Sequence, residues 1–200
     1  MIRWIPLFFA LLLLPALAAS DDAARHDRAP EPGDEQPGGD FTLQSSRGEF
    51  ALKQFRGRVV LLYFGYTKCP DVCPTSLAVL AQALGELSDD DLKMVQGVFV
   101  SVDPDRDSFQ VLDDYVSYFH PNLIGVTGTA AELAEVAALY GVEYGKVDLA
   151  DSAFGYAVDH TSTTYLITPE GDLRFMFPHQ TPSFVILEAI RYVLTADPSG

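Results

Sequence analysis

Residues 59–74 read Val59-Val60-Leu61-Leu62-Tyr63-Phe64-Gly65-Tyr66-Thr67-Lys68-Cys69-Pro70-Asp71-Val72-Cys73-Pro74. The first six are apolar without a break, and an apolar run without alternation predicts a strand covered on both faces. From Pro74 to Leu87 the period changes. Leu77, Leu80, Ala81, Leu84 and Leu87 recur at helical spacing and share one helix face. A buried strand, a loop carrying both cysteines of the chain, and a helix form the opening unit of an α/β fold. In such folds chemistry collects in loops at the carboxyl ends of parallel strands.

The same reading extends outward. Phe41-Thr42-Leu43 and Glu49-Phe50-Ala51-Leu52 predict short strands around a turn at Arg47-Gly48. Val95 to Val102 predicts a second buried strand and Leu123 to Val126 a third. Asp107-Ser108-Phe109-Gln110 has the form of a capping box opening a helix that runs to Phe119, and Thr129-Ala130-Ala131-Glu132 opens another to Tyr140. Thr163 to Thr168 and Leu173 to Phe177 predict a hairpin around Pro169-Glu170-Gly171-Asp172, and Thr181 with Pro182 starts a last helix. Strands alternating with helices and closing on a hairpin plus helix predict one α/β domain over residues 40–197, with a central mixed sheet and helices on both faces.

Composition limits the function. Asp and Glu total 28 against 13 Lys and Arg, a formal charge of −15. So acidic a chain lacks the basic face that nucleic acid or anionic lipid requires. Two cysteines do not make a disulfide scaffold. A chain of this length buries roughly 70% of its unfolded surface, so a metal or disulfide here is functional before it is structural. Met1 to Ala19 carries one charge, Arg3, then an apolar run, then Ala16-Leu17-Ala18-Ala19-Ser20, which fits a secretory signal peptide. The alternative is a retained membrane anchor. Trp4 to Ala19 is 16 residues, interrupted by Pro6 and Pro15, where a spanning helix needs about 20. On either reading the remainder is exported, to the periplasm or the outer face of an inner membrane, where disulfides persist. Residues 20–39, with Asp40, hold seven acidic residues, three prolines and three glycines and no large apolar side chain. That composition predicts a flexible acidic linker.

The two cysteines each precede a proline, which disfavours helical backbone. The helix is therefore expected to begin at Pro74 with Cys73 as its N-cap, where the helix dipole would favour a Cys73 thiolate. Cys69, four residues earlier, can bring its sulfur alongside. Such a pair can close a structural staple, exchange disulfides with a partner, or hold a soft metal. The short loop makes the staple the least stabilising of the three. A third ligand would separate these readings, and the candidates are His26, His120, His160 and His179. His26 lies on the linker, His120 ends a helix before Pro121, and His179 sits in Pro178-His179-Gln180, a surface loop by composition. His160, in Val158-Asp159-His160-Thr161 before a predicted strand, can face the cysteine loop, with Asp159 placed to orient it. Local sequence leaves it open whether His160 is structural or a ligand. Asp107 reads as a helix cap, and Asp103 before Pro104 as a turn residue or one that orients the site.

Four blocks in order resemble the Sco/SenC family of copper-delivery proteins. They are Gly65-Tyr66-Thr67-Lys68-Cys69-Pro70-Asp71-Val72-Cys73-Pro74; Ser101-Val102-Asp103-Pro104-Asp105-Arg106-Asp107; Gly125-Val126-Thr127-Gly128; and Asp159-His160-Thr161 with Tyr165-Leu166-Ile167 and Pro169-Glu170-Gly171. The resemblance implies a thioredoxin-like fold and one copper ion, Cu(I) or Cu(II), held by Cys69, Cys73 and His160. It also implies service to the binuclear copper centre of cytochrome c oxidase. The implied partners are the copper-bearing oxidase subunit or another cuproprotein, and an upstream copper donor. Lys68, Ser108-Phe109 and the Gly145–Gly155 loop are positions expected to vary, bearing on docking rather than on the ligands. Two thiolates and an imidazole suit Cu(I), and the imidazole also retains Cu(II). Rival readings stay open. One is a thiol-disulfide reductase acting through Cys69 and Cys73 without His160. Another is a peroxidase built on Thr67-Lys68-Cys69-Pro70, which needs an arginine beside a single activated cysteine. The last is a sensor of copper or redox state, for which the sequence offers no output domain.

Overall fold

A computed structural model describes residues 37–149 and 155–196. The leader or anchor, His26 and the linker up to residue 36 lie outside the described residues. The elements in chain order are β1 (Thr42–Ser45), β2 (Gly48–Ala51), a 3-10 turn (Leu52–Phe55), β3 (Val59–Gly65), α1 (Val72–Gly85), α2 (Asp89–Lys93), β4 (Val95–Ser101), α3 (Phe109–Phe119), β5 (Leu123–Thr127), α4 (Ala130–Leu139), β6 (Tyr144–Asp148), β7 (Tyr156–His160), β8 (Thr164–Ile167), β9 (Leu173–Phe177) and α5 (Ser183–Thr195).

Among the described residues seven strands form one mixed sheet in the order β2-β1-β5-β4-β3-β8-β9, while β6 and β7 pair only with each other. The β5-β4-β3 centre is parallel, and β1, β8 and β9 run antiparallel to their neighbours. Every residue of β3 and β4 is buried, as the unbroken apolar run requires. The two faces are covered by different helices. Tyr63 stacks on Phe99, which meets Tyr115 of α3. Phe64, one residue along and so on the opposite face, packs on Tyr140 at the end of α4 and on Tyr165 of β8. α1 packs along α5. Each large side chain fully buried in this way contributes about 1.5–3 kcal/mol. The mixed sheet with helices on both faces is thus the expected architecture.

Several local expectations are corrected. α1 begins at Val72 rather than Pro74, with Asp71 as N-cap, so Cys73 lies inside the first turn. A proline in the first turn lacks only an N–H that has no helical partner there, so Pro74 does not stop the helix. α3 is capped by Ser108, whose hydroxyl accepts from the Val111 N–H, and not by Asp107. Thr181 does not cap α5. Its hydroxyl donates back to the Pro178 carbonyl, and Pro182 takes the cap position without a side-chain bond. The capping box Thr129/Glu132 stands as expected. Of the segment 145–155, expected as a loop, residues 145–148 belong to β6, and residues 150–154 lie outside the described residues. Helix α2 was not anticipated. Its signal was present in Ser88 followed by Asp89, Asp90 and Asp91, a cap with acid at the positive helix end.

Candidate metal centre

Two segments that are far apart in sequence meet at the carboxyl ends of β3 and β4. The loop after β3 carries Cys69, the first turn of α1 carries Cys73, and the last residue of β7 is His160. One ligand atom from each lies within 4.8 Å of the other two. Cys73 Sγ is 3.2 Å from His160 Nε2. His160 therefore belongs to a strand, not to a loop before β8, and its ring comes back to the sulfurs. The other described histidines stay away. His120 is half-buried at the end of α3, where its Nδ1 accepts from the Asn122 N–H and burial pushes its pKa down. His179 Nδ1 faces the Ser76 hydroxyl at 3.1 Å.

Geometry assigns the two sulfurs different characters. The Cys73 N–H donates to Cys69 Sγ at 3.4 Å, so the Cys69 sulfur occupies the place a capping oxygen would take at this helix end. Asp71, the N-cap residue, makes no side-chain cap bond. The hydrogen bond from the Cys73 thiol, together with others from His160 and from backbone N–H groups, pushes the Cys69 pKa down to about 3 against the opposing effect of burial. Cys73 is fully buried, and its hydrogen bond to Cys69 together with burial pushes its own pKa up. The thiolate thus belongs to Cys69, half-buried and reachable, and not to Cys73 as the cap expectation had it.

The imidazole is held from three sides. Its Nδ1 faces the Thr161 carbonyl at 3.0 Å, and this contact turns Nε2 toward the sulfurs as the ring's ligand atom. Tyr63 and Tyr66 stand edge-on to the ring, with centroids at 6.2 Å and 6.0 Å. Burial, then the nearby Cys73, pushes the Tyr63 pKa up. Asp159, expected to orient His160, is exposed, and the Thr161 carbonyl has that role.

Two residues that build the site were not recognised in the sequence. A Cβ at Gly65 would lie 2.6 Å from Cys73 Sγ and 3.0 Å from Phe99 Cε2, so only glycine leaves room for the buried sulfur. Asp107 is fully buried and accepts from the Thr67 N–H at 2.9 Å, the Thr67 hydroxyl at 2.6 Å and the Ser101 hydroxyl at 2.6 Å. It anchors the start of the cysteine loop. The signal was a glycine closing a strand directly before the cysteines, and an acid in excess of what one helix cap needs.

Two thiols and one imidazole, with no carboxylate among them, form a donor set suited to a soft ion such as Cu(I). The SCO1/SenC family model matches residues 29–195 of this sequence. The chain belongs to the SCO1/SenC family. Among curated SCO1/SenC relatives, the mitochondrial SCO2 homologue of Mus musculus is 39% identical over 160 residues, covering 79% of this chain and 62% of the relative. The mitochondrial SCO1 homologue of Homo sapiens is 41% identical over 137 residues, covering 68% and 45%. The chain spans between about four-tenths and two-thirds of the length of the curated relatives it matches. Solved family members include copper-bound structures. ScoI of Arabidopsis thaliana superposes with a TM-score of 0.71 at 36% identity, covering 80% of this chain and 99% of that one. Yeast Sco1 superposes with a TM-score of 0.73 at 33% identity, covering 82% and 92%. The thioredoxin-like fold expected from the sequence is the fold of these Sco proteins.

Proposed function

We propose that this chain is a copper chaperone. It binds one copper ion through Cys69, Cys73 and His160 and delivers it to the binuclear copper centre of cytochrome c oxidase. The observation that carries this reading is the convergence of the three donor atoms within 4.8 Å, in a family whose solved members include copper-bound proteins. Copper is the cargo. A site with three protein ligands leaves room for an incoming thiolate, so the ion can pass to a recipient by ligand exchange. An open groove lined by Glu143, Tyr144, Gly145, Asp159, His160 and Thr161 gives access beside the imidazole.

The N-terminal composition supports export: a leader or anchor over residues 1–19, an acidic tether over 20–39 and the copper-binding domain over 40–197, placed in the periplasm or on the outer face of the inner membrane. The partners on this reading are an upstream copper donor and the copper-bearing oxidase subunit or another cuproprotein.

One observation favours a second reading. A half-buried Cys69 held as thiolate beside the Cys73 thiol is the arrangement of a disulfide reductase. Cys69 would attack a partner disulfide and release one partner thiolate. Cys73 would then displace the second, leaving Cys69 and Cys73 oxidised and the partner reduced by two electrons. Transfer distinguishes the two readings. The copper-loaded domain is mixed without oxygen with the metal-free, reduced copper-bearing domain of the oxidase, the two are separated, and the copper carried by each is measured. Delivery is expected from the wild type and not from His160→Ala. Equal support of oxidase assembly by His160→Ala would favour the reductase.

A further inference from the structure

Among the described residues the hairpin that carries His160 makes no backbone ladder to the seven-stranded sheet, since β6 and β7 pair there only with each other. An isolated two-stranded hairpin is marginal in water. Beyond its short covalent link to β8, its position relative to the cysteines is set by side chains. We infer that the loop between β4 and α3, residues 102–108, is a bracket that sets the distance from the paired sulfurs to the imidazole, with Asp103 and Arg106 as positioning residues. The inference rests on the copper reading above.

One end of the bracket holds the cysteine loop. Asp107 bonds the Thr67 backbone and hydroxyl, two residues before Cys69. The other end holds the hairpin. Arg106 donates through Nη1 to the Tyr156 carbonyl at 2.9 Å, and its guanidinium lies 3.7 Å over the Tyr156 ring. Its Nε pairs with Asp103, whose other oxygen accepts from the Tyr156 hydroxyl at 2.6 Å. Tyr156 opens the strand that ends in His160. Arg106 also lies 5.5 Å over the Tyr66 ring, which stands edge-on to His160. Asp103 and Asp107 are both completely buried. Buried ion pairs add little net stability over an apolar equivalent, but they fix geometry, because a wrong position leaves a charge without a partner. Here that geometry joins the two halves of a ligand set separated by most of the domain.

The test is a double-mutant cycle on the whole chain, with copper affinity measured by anaerobic competition against a chelator. Arg106→Ala is expected to keep one copper per chain but to bind it roughly tenfold to a hundredfold more weakly, as loss of a supporting group around a ligand does. Tyr156→Phe keeps the ring under Arg106 and loses one bond, and it serves if Arg106→Ala fails to fold. Its expected loss is a few-fold. In the His160→Ala background each substitution is expected to change affinity by no more than about twofold, because the bracket acts through the imidazole. The nitrogen coupling in the Cu(II) spin-resonance spectrum of Arg106→Ala should weaken toward that of His160→Ala. An equal loss in both backgrounds, or no loss in either, would overturn the bracket while leaving the copper reading intact. A wild type that binds no copper would overturn the copper reading itself.

Discussion

Cys73 Sγ and His160 Nε2 stand 3.2 Å apart although 87 positions separate them in the chain. The contact joins the first turn of α1 to the last residue of β7, so it depends on how the parallel strands and the hairpin are placed. Its chemistry depends on neighbours that hold each partner still: Gly65 under the sulfur, and Tyr63, Tyr66 and the Thr161 carbonyl around the ring.

The pH behaviour of the thiols follows from their hydrogen bonds. The Cys69 pKa is lowered to about 3, chiefly by the bond from Cys73. A lowered pKa keeps the thiolate present as pH falls. Alkylation of Cys69 in the reduced domain should therefore stay nearly level between about pH 8 and pH 5, where an ordinary thiol slows about tenfold per unit. Mass spectrometry of timed iodoacetamide reactions reads this directly. A tenfold fall per unit would contradict it.

Proton release on metal binding should be asymmetric. Cys69 already lacks its proton, whereas the raised pKa of Cys73 means that its proton must leave when the sulfur becomes a ligand. At about pH 8, where an ordinary imidazole is neutral, close to one proton should appear per copper bound. Titration in weakly buffered solution measures it, and two protons per copper would show that both thiols start protonated. Because Cys73 must lose a proton, affinity should weaken as pH falls.

Gly65→Ala should disturb the site without touching a ligand. The added methyl lies 2.6 Å from Cys73 Sγ, in a well-packed region. Overpacking of this kind is expected to lower stability by about 1–3 kcal/mol, with weakened copper binding because the buried sulfur must move. Thermal unfolding and copper titration together check this.

Asp107→Ala and Ser108→Ala should separate two roles that adjacent residues share in the sequence. Loss of Ser108 removes one helix cap, about 1 kcal/mol. Loss of Asp107 leaves the Thr67 N–H and the Thr67 and Ser101 hydroxyls without their acceptor in a buried place. That is expected to lower stability by about 2–4 kcal/mol. Equal effects in urea denaturation would mean that Asp107 is no more than a second cap.

The core strands were legible because burial on both faces leaves an unmistakable mark: β3 is apolar throughout, β4 is apolar but for Gln96 and Ser101, and both are buried throughout. The site was legible as residues but less so as roles. The rule against helix before proline put the thiolate on Cys73, whereas Pro74 is tolerated in a first turn and the Cys69 sulfur takes the capping place. The β6–β7 hairpin escaped notice because Tyr144-Gly145-Lys146-Val147-Asp148 is mostly exposed, and an exposed strand has little hydrophobic pattern to show. Asp107 reads as a helix cap from its capping-box spacing to Gln110, since a buried acceptor for Thr67 and Ser101 depends on contacts between separate elements that spacing does not display. The link from Arg106 to Tyr156 is hidden for the same reason.

Copper stoichiometry and affinity of the reduced chain, titrated without oxygen in wild type, Cys69→Ala, Cys73→Ala and His160→Ala, test the three-ligand site most directly. One copper per wild-type chain is expected, with none retained by either cysteine variant, and with roughly tenfold or greater weakening and loss of nitrogen coupling in His160→Ala. Stoichiometric copper kept by a variant lacking both cysteines, or a His160→Ala chain matching the wild type in affinity and spectrum, would contradict it.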